Sequence, residues 1–427
     1  MLDIKYIRDN ADAVKKGVFD RNMTCDVDRL LSLYDQILKH RQAIDSANTC
    51  IKANQNSVRA ASSEKERAEL VESGKRLKQE VAELKSSIDD LMPEYNALML
   101  SVPNAMADDT PIGKSDDLNV EVEVWSRPTR FEFEPKNHIE LGRSLDLLDF
   151  SAGAKVAGTK FYFMKNEAVL LDLALQTYAI NKLVKKGYTP LITPDLAKDD
   201  ILRGSGFNPR GSERNTYSIE GLDLNLIATA EITVGGMLSN TILNYEDLPK
   251  KYVAFSHCFR TEAGAAGRAA YGLYRVHQFS KVEMYQFVKS EDGESALQEL
   301  LDIEKEIYSE LGIPYRVIRI CSGDLGAPAY KKYDIEAWMP GKGDEGEYGE
   351  VTSVGNFTDF QSRRLNIKYI DKNGSRKFVT TLNGTAVATG RIILAIMENF
   401  QRADGSIGIP EALIPYTGFS EIAPKTA

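Results

Sequence analysis

Apolar side chains recur at helical spacing along residues 26–100, a segment with dense mixed charge, one glycine and one proline. In its second half a leucine returns at every seventh residue. In the first half, positions of the same heptad pattern follow each other at spacings of three and four residues, although the polar residues Arg41, Asn48 and Gln55 occupy some of them. This heptad pattern predicts two long helices. The recurring leucines are Leu70, Leu77, Leu84, Leu91 and Leu98.

The two helical halves are separated by residues 59–68, where Ser62 or Ser63 is suited to cap a new helix. The acidic residues Glu64 and Glu66 suit its first turn. The pattern therefore predicts an antiparallel helical hairpin, and about 35 residues per helix at ~1.5 Å each give an arm of roughly 50 Å. A plain dimerisation coiled coil is the alternative for such a heptad sequence.

Residues 101–117 are rich in Pro, Asp and Ser, a composition typical of a linker. We therefore expect an N-terminal domain over residues 1–104, a linker over 105–119 and a second domain over 120–427.

The second domain mixes strand-like and helix-like patterns. Strand-like patterns lie at residues 120–125, 161–164, 251–259, 277–288 and 377–382, and helical patterns at 167–187, which Gly187 stops, and 391–402. Strand pairs with helices gathered separately predict an α+β fold on a largely antiparallel sheet.

Composition narrows the classes of function. A chain of 427 residues with 43% hydrophobic and 27% charged content is typical of a soluble globular protein. It lacks the apolar run of ~20 residues that a membrane helix needs and has no signal-like start, so we expect a cytoplasmic protein and no membrane partner. The four cysteines and four histidines lack metal-site spacing, so no zinc is expected. The net charge of −9 disfavours nucleic acid, but a local basic stripe remains compatible with it.

The segment 259–283 carries the most informative chemistry, with the pattern of a strand, a glycine-rich loop and a strand. Alternate residues of a strand share a face, so Arg260 and Glu262 are expected to point together, as are Phe279, Lys281 and Glu283. Phe279 and Glu283 would then lie ~13 Å apart, about the span of an aminoacyl-adenylate between a stacked purine and a bound ammonium. A solvated strand pair with scattered salt bridges is the alternative.

Three further elements point to the same chemistry. Arg391 follows a glycine at the start of a predicted helix, where an anion is favoured. Glu350 and Ser353 offer hard oxygens that suit Mg²⁺ bound together with ATP. Thr229 and Glu231 are expected to present a hydroxyl and a carboxylate on one strand face. Together these elements predict a site for a nucleotide and an amino acid.

Several of these segments resemble the class II signatures of the seryl-tRNA synthetase family: FRTEAG, GLYRVHQFSKVE, EVTSVGNFTDFQSRR and LNGTAVATGR. LVKKGYTPLITPDLA resembles the family's first class II motif, with Pro194 as its proline. The similarity covers essentially the whole chain, including the hairpin. It implies an enzyme that activates serine with ATP and transfers it to tRNA(Ser), and also to tRNA(Sec), with homodimer formation through the first motif.

The resemblance also implies roles for individual residues. Arg260, Arg391 and Glu350 would be catalytic, and Glu350 and Ser353 would bind Mg²⁺ with ATP. ATP contacts are implied for Arg260, Thr261, Glu262, Arg275, Val276, Phe279, Glu350, Val351, Thr352, Ser353 and Arg391. Contacts to L-serine are implied for Thr229, Ala230, Glu231, Arg260, Glu283, Asn383 and Thr385.

The hairpin is expected to lie along the tRNA and to recognise its shape through basic side chains on the polar flanks. These are Lys52, Arg59, Lys65, Arg67, Lys75, Arg76 and Lys78.

The sequence departs from the family pattern at Tyr271, where a charged loop residue is common, and at Gly355, where a serine is common. Two alternatives remain. A related ligase that loads a carrier protein tends to lack the hairpin, which is present here. A catalytically silent paralogue would not need the charged residues of the predicted site.

Overall fold

The computed structural model describes residues 1–207, 216–262 and 272–425. The chain divides into two compact units, Met1–Pro103 and Asn104–Ala427. Among the described residues, no helix combines the length and the apolar character needed to cross a membrane. Tyr271 and its neighbours in the predicted glycine-rich loop lie outside the described residues.

The first unit is helical. Two short helices pack on the base of two long ones through a small apolar cluster that includes Ile7, Val14, Leu30 and Met99. The helices of this unit are α1 Ile4–Asp9, α2 Ala11–Asp20, α3 Val27–Ala60 and α4 Glu64–Ser101.

The long helices α3 and α4 run antiparallel, as their contacts demonstrate. Near the base, Arg29 donates two hydrogen bonds of 2.8 and 2.7 Å to Glu94. Closer to the turn between the helices, the side chain of Asn54 on α3 lies against Gly74 on α4. Residue numbers on α4 therefore fall as those of their partners on α3 rise. The predicted two-helix arm is therefore confirmed.

The turn between the long helices is capped as the sequence suggests. Ser63 accepts a hydrogen bond of 3.2 Å from the backbone N–H of Glu66, and the Glu66 carboxylate accepts one of 2.9 Å from the N–H of Ser62. These contacts satisfy backbone donors that the start of α4 would otherwise leave unpaired.

The second unit is built on an eight-stranded sheet in the order β1-β10-β11-β12-β15-β9-β8-β4. All neighbours in it are antiparallel except β4 and β8, which confirms the predicted α+β class with a largely antiparallel sheet. Its strands are β1 Val120–Trp125, β4 Thr189–Ile192, β8 Lys250–Phe259, β9 Gln278–Val288, β10 Tyr315–Arg319, β11 Lys331–Met339, β12 Glu347–Asn356 and β15 Thr380–Ala388.

Shorter strands and the helices complete this unit. The remaining strands are β2 Leu148–Asp149, β3 Phe163–Met164, β5 Leu196–Ala197, β6 Asn225–Leu226, β7 Ile242–Asn244, β13 Lys368–Ile370, β14 Arg376–Phe378, β16 Ile407–Gly408 and β17 Glu421–Ile422. The helices are α5 His138–Ser144, α6 Phe150–Ala157, α7 Glu167–Lys185, α8 Asp199–Ser205, α9 Ala230–Met237, α10 Gly293–Glu310, α11 Phe360–Leu365, α12 Thr389–Asn399 and α13 Ile414–Thr417.

Helix α7 shows how the apolar pattern positions an element. Leu171, Leu175 and Tyr178 recur at helical spacing and are buried in the main core cluster. Gly187, two residues beyond the helix, has φ +88°, a conformation that glycine adopts without strain. The opposite face of α7 leaves Leu173 and other apolar side chains exposed.

Two strand predictions need correction. The pattern at residues 161–164 yields only the two-residue strand β3, because Phe163 and Met164 alone pair with β2. The pattern at 377–382 divides into β14 and β15, which pair with different partners in different sheets.

A buried carboxylate joins three segments on one side of the sheet. Glu398 of α12 pairs with the Nδ1 of His138 at 2.7 Å and accepts backbone hydrogen bonds from His138 and Gly341 at 3.0 and 2.8 Å. The Nε2 of His138 in turn accepts a bond of 3.1 Å from the N–H of Leu273. The carboxylate thus holds the chain that leads into β9.

We expect Glu398→Ala to lower the free energy of unfolding by at least about 3 kcal/mol, because two buried N–H groups and an imidazole lose their partner. Thermal or urea unfolding measures the loss. Glu411→Ala removes an exposed glutamate of the same unit and is the control. Equal stability of the two variants would contradict this interpretation.

Candidate active site

A cavity of about 330 Å³ opens on the face of the sheet formed by β9, β12 and β15. It brings together most of the residues singled out from the sequence, although they come from distant segments. Those that line it are Thr229, Glu231, Arg260, Glu262, Arg275, Val276, Phe279, Glu283, Glu350, Val351, Thr352, Ser353, Asn383, Thr385 and Arg391. Thr261 and Ala230 do not line it; Ala230, the first residue of α9, is buried in an apolar cluster.

At one end of the cavity a guanidinium lies over an aromatic ring. The guanidinium carbon of Arg260 is 5.2 Å from the centroid of Phe279, within the range of a cation–π interaction. The side chain is also directed by the carbonyl of Ala228, to which its Nε donates at 3.4 Å. Both side chains line the cavity.

Arg260 and Glu262 were expected to share a strand face, and this part of the prediction is wrong. Strand β8 ends at Phe259, and Glu262 has φ +50°, which turns the chain out of the extended conformation. Both side chains nevertheless line the cavity. Glu262 is held there by an ion pair of 2.5 Å with Arg275.

The first turn of α12 contains Arg391, another arginine that lines the cavity. Arg391 donates to the carbonyl of Glu350 at 2.9 Å and to that of Tyr274 at 3.3 Å. Its guanidinium carbon is also 4.8 Å from the centroid of the Tyr274 ring. These contacts orient the arginine before any ligand arrives, and the start of the helix adds a favourable field for anions.

Glu350 remains ionised in this setting. Burial by itself would raise its pKa, but Arg391, Lys332 and Arg260 together lower the pKa below its ordinary value. The carboxylate lies 3.3 Å from the guanidinium of Arg391, and 41% of the side chain is exposed. A charged, accessible oxygen is thus available in the cavity.

The residues fit a magnesium ion that arrives with a nucleotide. Glu350 supplies an ionised carboxylate and Ser353 a hydroxyl, and both line the cavity. Within residues 1–207, 216–262 and 272–425, no group of three His, Cys, Asp or Glu side chains could hold a metal by itself. Mg²⁺ is commonly bound by one or two protein ligands with phosphate oxygens completing its shell, which matches this donor set.

The other end of the cavity is acidic and closely paired. Glu283 of β9 is only 2% exposed and lies directly opposite Thr385 of β15. Thr385 donates a hydrogen bond of 3.1 Å to the Glu283 carboxylate, and the ammonium of Lys281 is 2.6 Å from it. Lys281 shares the strand face of Glu283, as strand alternation requires.

Thr229 and Glu231 do not lie on a strand face, contrary to expectation. Strand β6 ends at Leu226, and Thr229 is the residue that caps α9, accepting a bond of 3.4 Å from the N–H of Glu231. Glu231 is therefore in the first turn of a helix. The two side chains still reach the same cavity.

The charge of Glu231 is sensitive to pH near neutrality. Burial raises its pKa, and the neighbouring carboxylate of Glu283 raises it further. Gln361, Lys281 and Asn383 oppose this shift, and the resulting pKa is about 7. The group therefore changes charge in the neutral range.

Strand alternation predicted that Lys281 shares the face of Phe279 and Glu283, and Lys281 lines the cavity. Two other cavity residues, Lys332 and Tyr274, were not predicted from the sequence. Lys332 carried no such signal, since its place at the cavity depends on how β11 pairs with β12. The ring of Tyr274 lies against the guanidinium of Arg391, and this placement likewise depends on tertiary contacts.

The basic residues expected to contact tRNA lie in the other unit. All of them are exposed on the two long helices, at Lys52, Arg59, Lys65, Arg67, Lys75, Arg76 and Lys78. Gly355, noted as a departure from the family pattern, lines the cavity.

Both parts of the chain match models of known protein families. Residues 1–106 match the family model for the seryl-tRNA synthetase N-terminal domain, and residues 216–400 match that for the tRNA synthetase class II core domain (G, H, P, S and T). A serine–tRNA ligase of Treponema denticola is 50% identical over 99% of this chain and 100% of its own length.

Two solved structures are similar along the whole chain. Seryl-tRNA synthetase from Pyrococcus horikoshii complexed with ATP is 37% identical, with a TM-score of 0.93 and complete coverage of both chains. Cytoplasmic serine–tRNA ligase from Naegleria fowleri in complex with AMP is 28% identical, with a TM-score of 0.87, and covers 100% of this chain and 99% of its own.

A buried acid lies beneath Thr352, one of the residues that line the cavity. Glu304 of α10 is fully buried and receives a hydrogen bond from the hydroxyl of Thr352. Burial raises its pKa well above the ordinary value, so the folded chain keeps a proton that the unfolded chain releases. Stability contributed by this group is present at low pH and is lost as pH rises above the unfolded pKa of about 4.3.

We therefore expect Glu304→Gln, which stays neutral at every pH, to be more stable than the unsubstituted protein at pH about 8. The difference should grow by up to about 1.4 kcal/mol per pH unit above the unfolded pKa. Denaturant unfolding across pH measures it, with exposed Glu411→Gln as the control. A pH slope unchanged by Glu304→Gln would contradict the assignment.

Proposed function

Because the chain belongs to the seryl-tRNA synthetase family of class II enzymes, we propose that it activates serine with ATP as seryl-adenylate and passes the seryl group to tRNA(Ser). The observation that carries this proposal is one cavity lined by the ring of Phe279, by three arginines and by the carboxylates of Glu231 and Glu283. The ring and arginines suit a nucleotide, and the carboxylates suit the ammonium of an amino acid. Solvated salt bridges would not converge in this way.

In the activation step, a carboxylate oxygen of serine attacks the α-phosphorus of ATP. The bond between that phosphorus and the bridging oxygen breaks, diphosphate leaves, and seryl-adenylate remains. The protein provides no nucleophile. It acts by placing the two reactants together and by meeting the charge of the phosphates with Arg260 and Arg391.

The nucleotide is bound along one wall of the cavity. Phe279 stacks on the adenine, while Glu262 and the backbone of Val276 meet its edge. Arg275 keeps Glu262 in place through their ion pair. Thr261 follows Arg260 directly in the chain, and Val351 and Thr352 contribute from β12.

Glu350 and Ser353 would hold the Mg²⁺ that accompanies ATP. When bound, the ion supplies positive charge that the triphosphate needs. Arg391 meanwhile keeps the Glu350 carboxylate ionised and directed toward the cavity.

Serine is bound at the acidic end. Glu283 receives its ammonium, and Thr385 and Asn383 contact its hydroxyl. Thr229 and Glu231 complete the surroundings, and Ala230 contributes only by joining them in the chain. A site built to hydrogen-bond a hydroxyl rejects alanine by roughly 10⁴-fold or more, because its buried polar groups would be left unpaired. Threonine is excluded by size.

In the second step, the terminal ribose hydroxyl of the tRNA attacks the seryl carbonyl, an ester bond forms and AMP leaves. The long helices α3 and α4 hold the tRNA through exposed Lys and Arg side chains. The same arm would serve tRNA(Sec). We expect the enzyme to act in the cytoplasm together with these substrates.

We further propose a homodimer that covers the exposed apolar face of α7. Val169, Leu170 and Leu173 lie in the first two turns of this helix and are exposed, as is Val184 near its end. Contiguous apolar surface of this kind is typical of an interface between subunits.

We expect Arg260→Ala to lower serine-dependent ATP–diphosphate exchange by about 100-fold or more, because it removes a positive charge placed at the reacting phosphate. Exchange measured with each of the amino acids, with and without tRNA, tests the substrate at the same time. Arg402→Ala, which removes an exposed arginine of the same unit, should behave as the unsubstituted enzyme. Near-normal exchange by Arg260→Ala would refute its role.

The arm is tested by neutralising three basic residues near its tip, Arg59, Lys65 and Arg67, to Gln. The KM for tRNA in serylation should rise on the order of tenfold and depend less on salt, since phosphate contacts are lost. Exchange without tRNA should be unchanged.

The matched control neutralises three exposed basic residues nearer the base, Lys39, Arg41 and Lys85, to Gln. Equal effects of the two triple variants would refute recognition at the tip.

A further inference from the structure

Behind the acidic end of the cavity lies a buried glutamine with no role in the proposal so far. Gln361 of α11 has no exposed surface and does not line the cavity. Its amide nitrogen donates a hydrogen bond of 2.6 Å to the carboxylate of Glu231, which does line it. The two residues are 130 positions apart in the chain.

The orientation of the Gln361 amide is fixed on all sides. Its oxygen accepts hydrogen bonds from the hydroxyls of Tyr285 at 2.9 Å and Thr381 at 2.7 Å. Its nitrogen donates a second bond, of 3.1 Å, to the carbonyl of Ser205. If the amide were turned over, its oxygen would face a carbonyl and a carboxylate, which are both acceptors.

Glu231 needs such a partner because of what surrounds it. Strand β9 presents Glu283, Lys281 and Tyr285 toward it. The ammonium of Lys281 is taken up mainly by Glu283, at 2.6 Å. The amide of Gln361 therefore donates to the Glu231 carboxylate from behind the cavity, whereas Asn383, a second hydrogen-bond partner of Glu231, lines the cavity itself.

We infer that Gln361 is a positioning residue for serine binding: it holds the Glu231 carboxylate charged and turned into the cavity, so that the acid meets the incoming amino acid. This inference rests on the proposed serine site. It gives a role in the reaction to a residue that touches neither substrate.

The position of Gln361 predicts a pH effect with a definite sign. The pKa of Glu231 is about 7, and the hydrogen bond from Gln361 lowers it. Serine binding that needs the charged acid weakens as pH falls through this value. Loss of the hydrogen bond raises the pKa further, so the weakening should begin at a higher pH.

The test compares Gln361→Met, which keeps the length of the side chain and removes its donors, with Ser362→Ala on the same helix. Ser362 is also fully buried and donates a hydrogen bond to the carbonyl of Val379, but it does not reach Glu231. The measurement is ATP–diphosphate exchange as a function of serine and of ATP, at pH values from about 6 to about 9.

Gln361→Met is expected to lower kcat/KM for serine by about 10- to 100-fold, the usual effect of one lost hydrogen bond to a charged group. The KM for ATP should stay unchanged, and the rise of the serine KM on acidification should move to higher pH. Ser362→Ala should show neither effect. Equal rises of both KM values, or an unmoved pH profile, would overturn the inference.

If Gln361→Met does not fold, Thr381→Val provides the test. It is isosteric and removes one of the two hydroxyls that anchor the amide oxygen. It should raise the serine KM by about two- to tenfold and leave the KM for ATP unchanged. An unchanged serine KM in this variant would overturn the inference.

Glu231→Gln separates failure of the inference from failure of the proposed serine site. If this variant raises the serine KM and the Gln361 and Thr381 variants do not, only the positioning role fails. If Glu231→Gln leaves the serine KM unchanged, the serine site at Glu231 fails, and the inference fails with it.

Discussion

The cavity depends on one electrostatic constraint: a charge removed from water must be paired. The buried Lys281 and Glu283 satisfy this constraint by pairing at 2.6 Å, and the largely buried guanidinium of Arg391 satisfies it by pairing at 3.3 Å with the partly exposed carboxylate of Glu350. An unpaired charge in such a place would cost several kcal/mol or lose its proton. The pairs therefore keep these side chains charged when no ligand is bound. The charged groups of an amino acid or of a triphosphate can then take the place of one partner in a pair.

The antiparallel sheet converts this constraint into a fixed geometry. Glu283 and Thr385 face each other across β9 and β15 because of the register of those strands. Phe279 lies on the same face of β9, at the other end of the cavity, because side chains alternate along a strand. A rigid sheet thus sets the distance between the adenine wall and the acidic end, which is what joining two reactants requires.

The same environment divides the acids of the site by charge. Glu350 stays ionised because arginine and lysine side chains outweigh its burial, whereas Glu304 lies beneath the cavity with only a hydroxyl as hydrogen-bond partner and keeps its proton. The pKa of Glu231 is about 7, so this acid is intermediate between the other two in its charge at neutral pH. Three carboxyl groups of one chain thus have three different states at neutral pH, and each state follows from the groups that surround it.

Local patterns in the sequence determined the hairpin and the shared face of Phe279 and Glu283, because heptad spacing and strand alternation are properties of neighbouring residues. Tertiary structure decided what depends on distant segments. It placed Glu231 on a helix rather than a strand, set Lys332 beside the cavity through the register of β11, and brought Gln361 to Glu231 across 130 positions. Register and burial arise only when segments meet, so no local pattern could fix them.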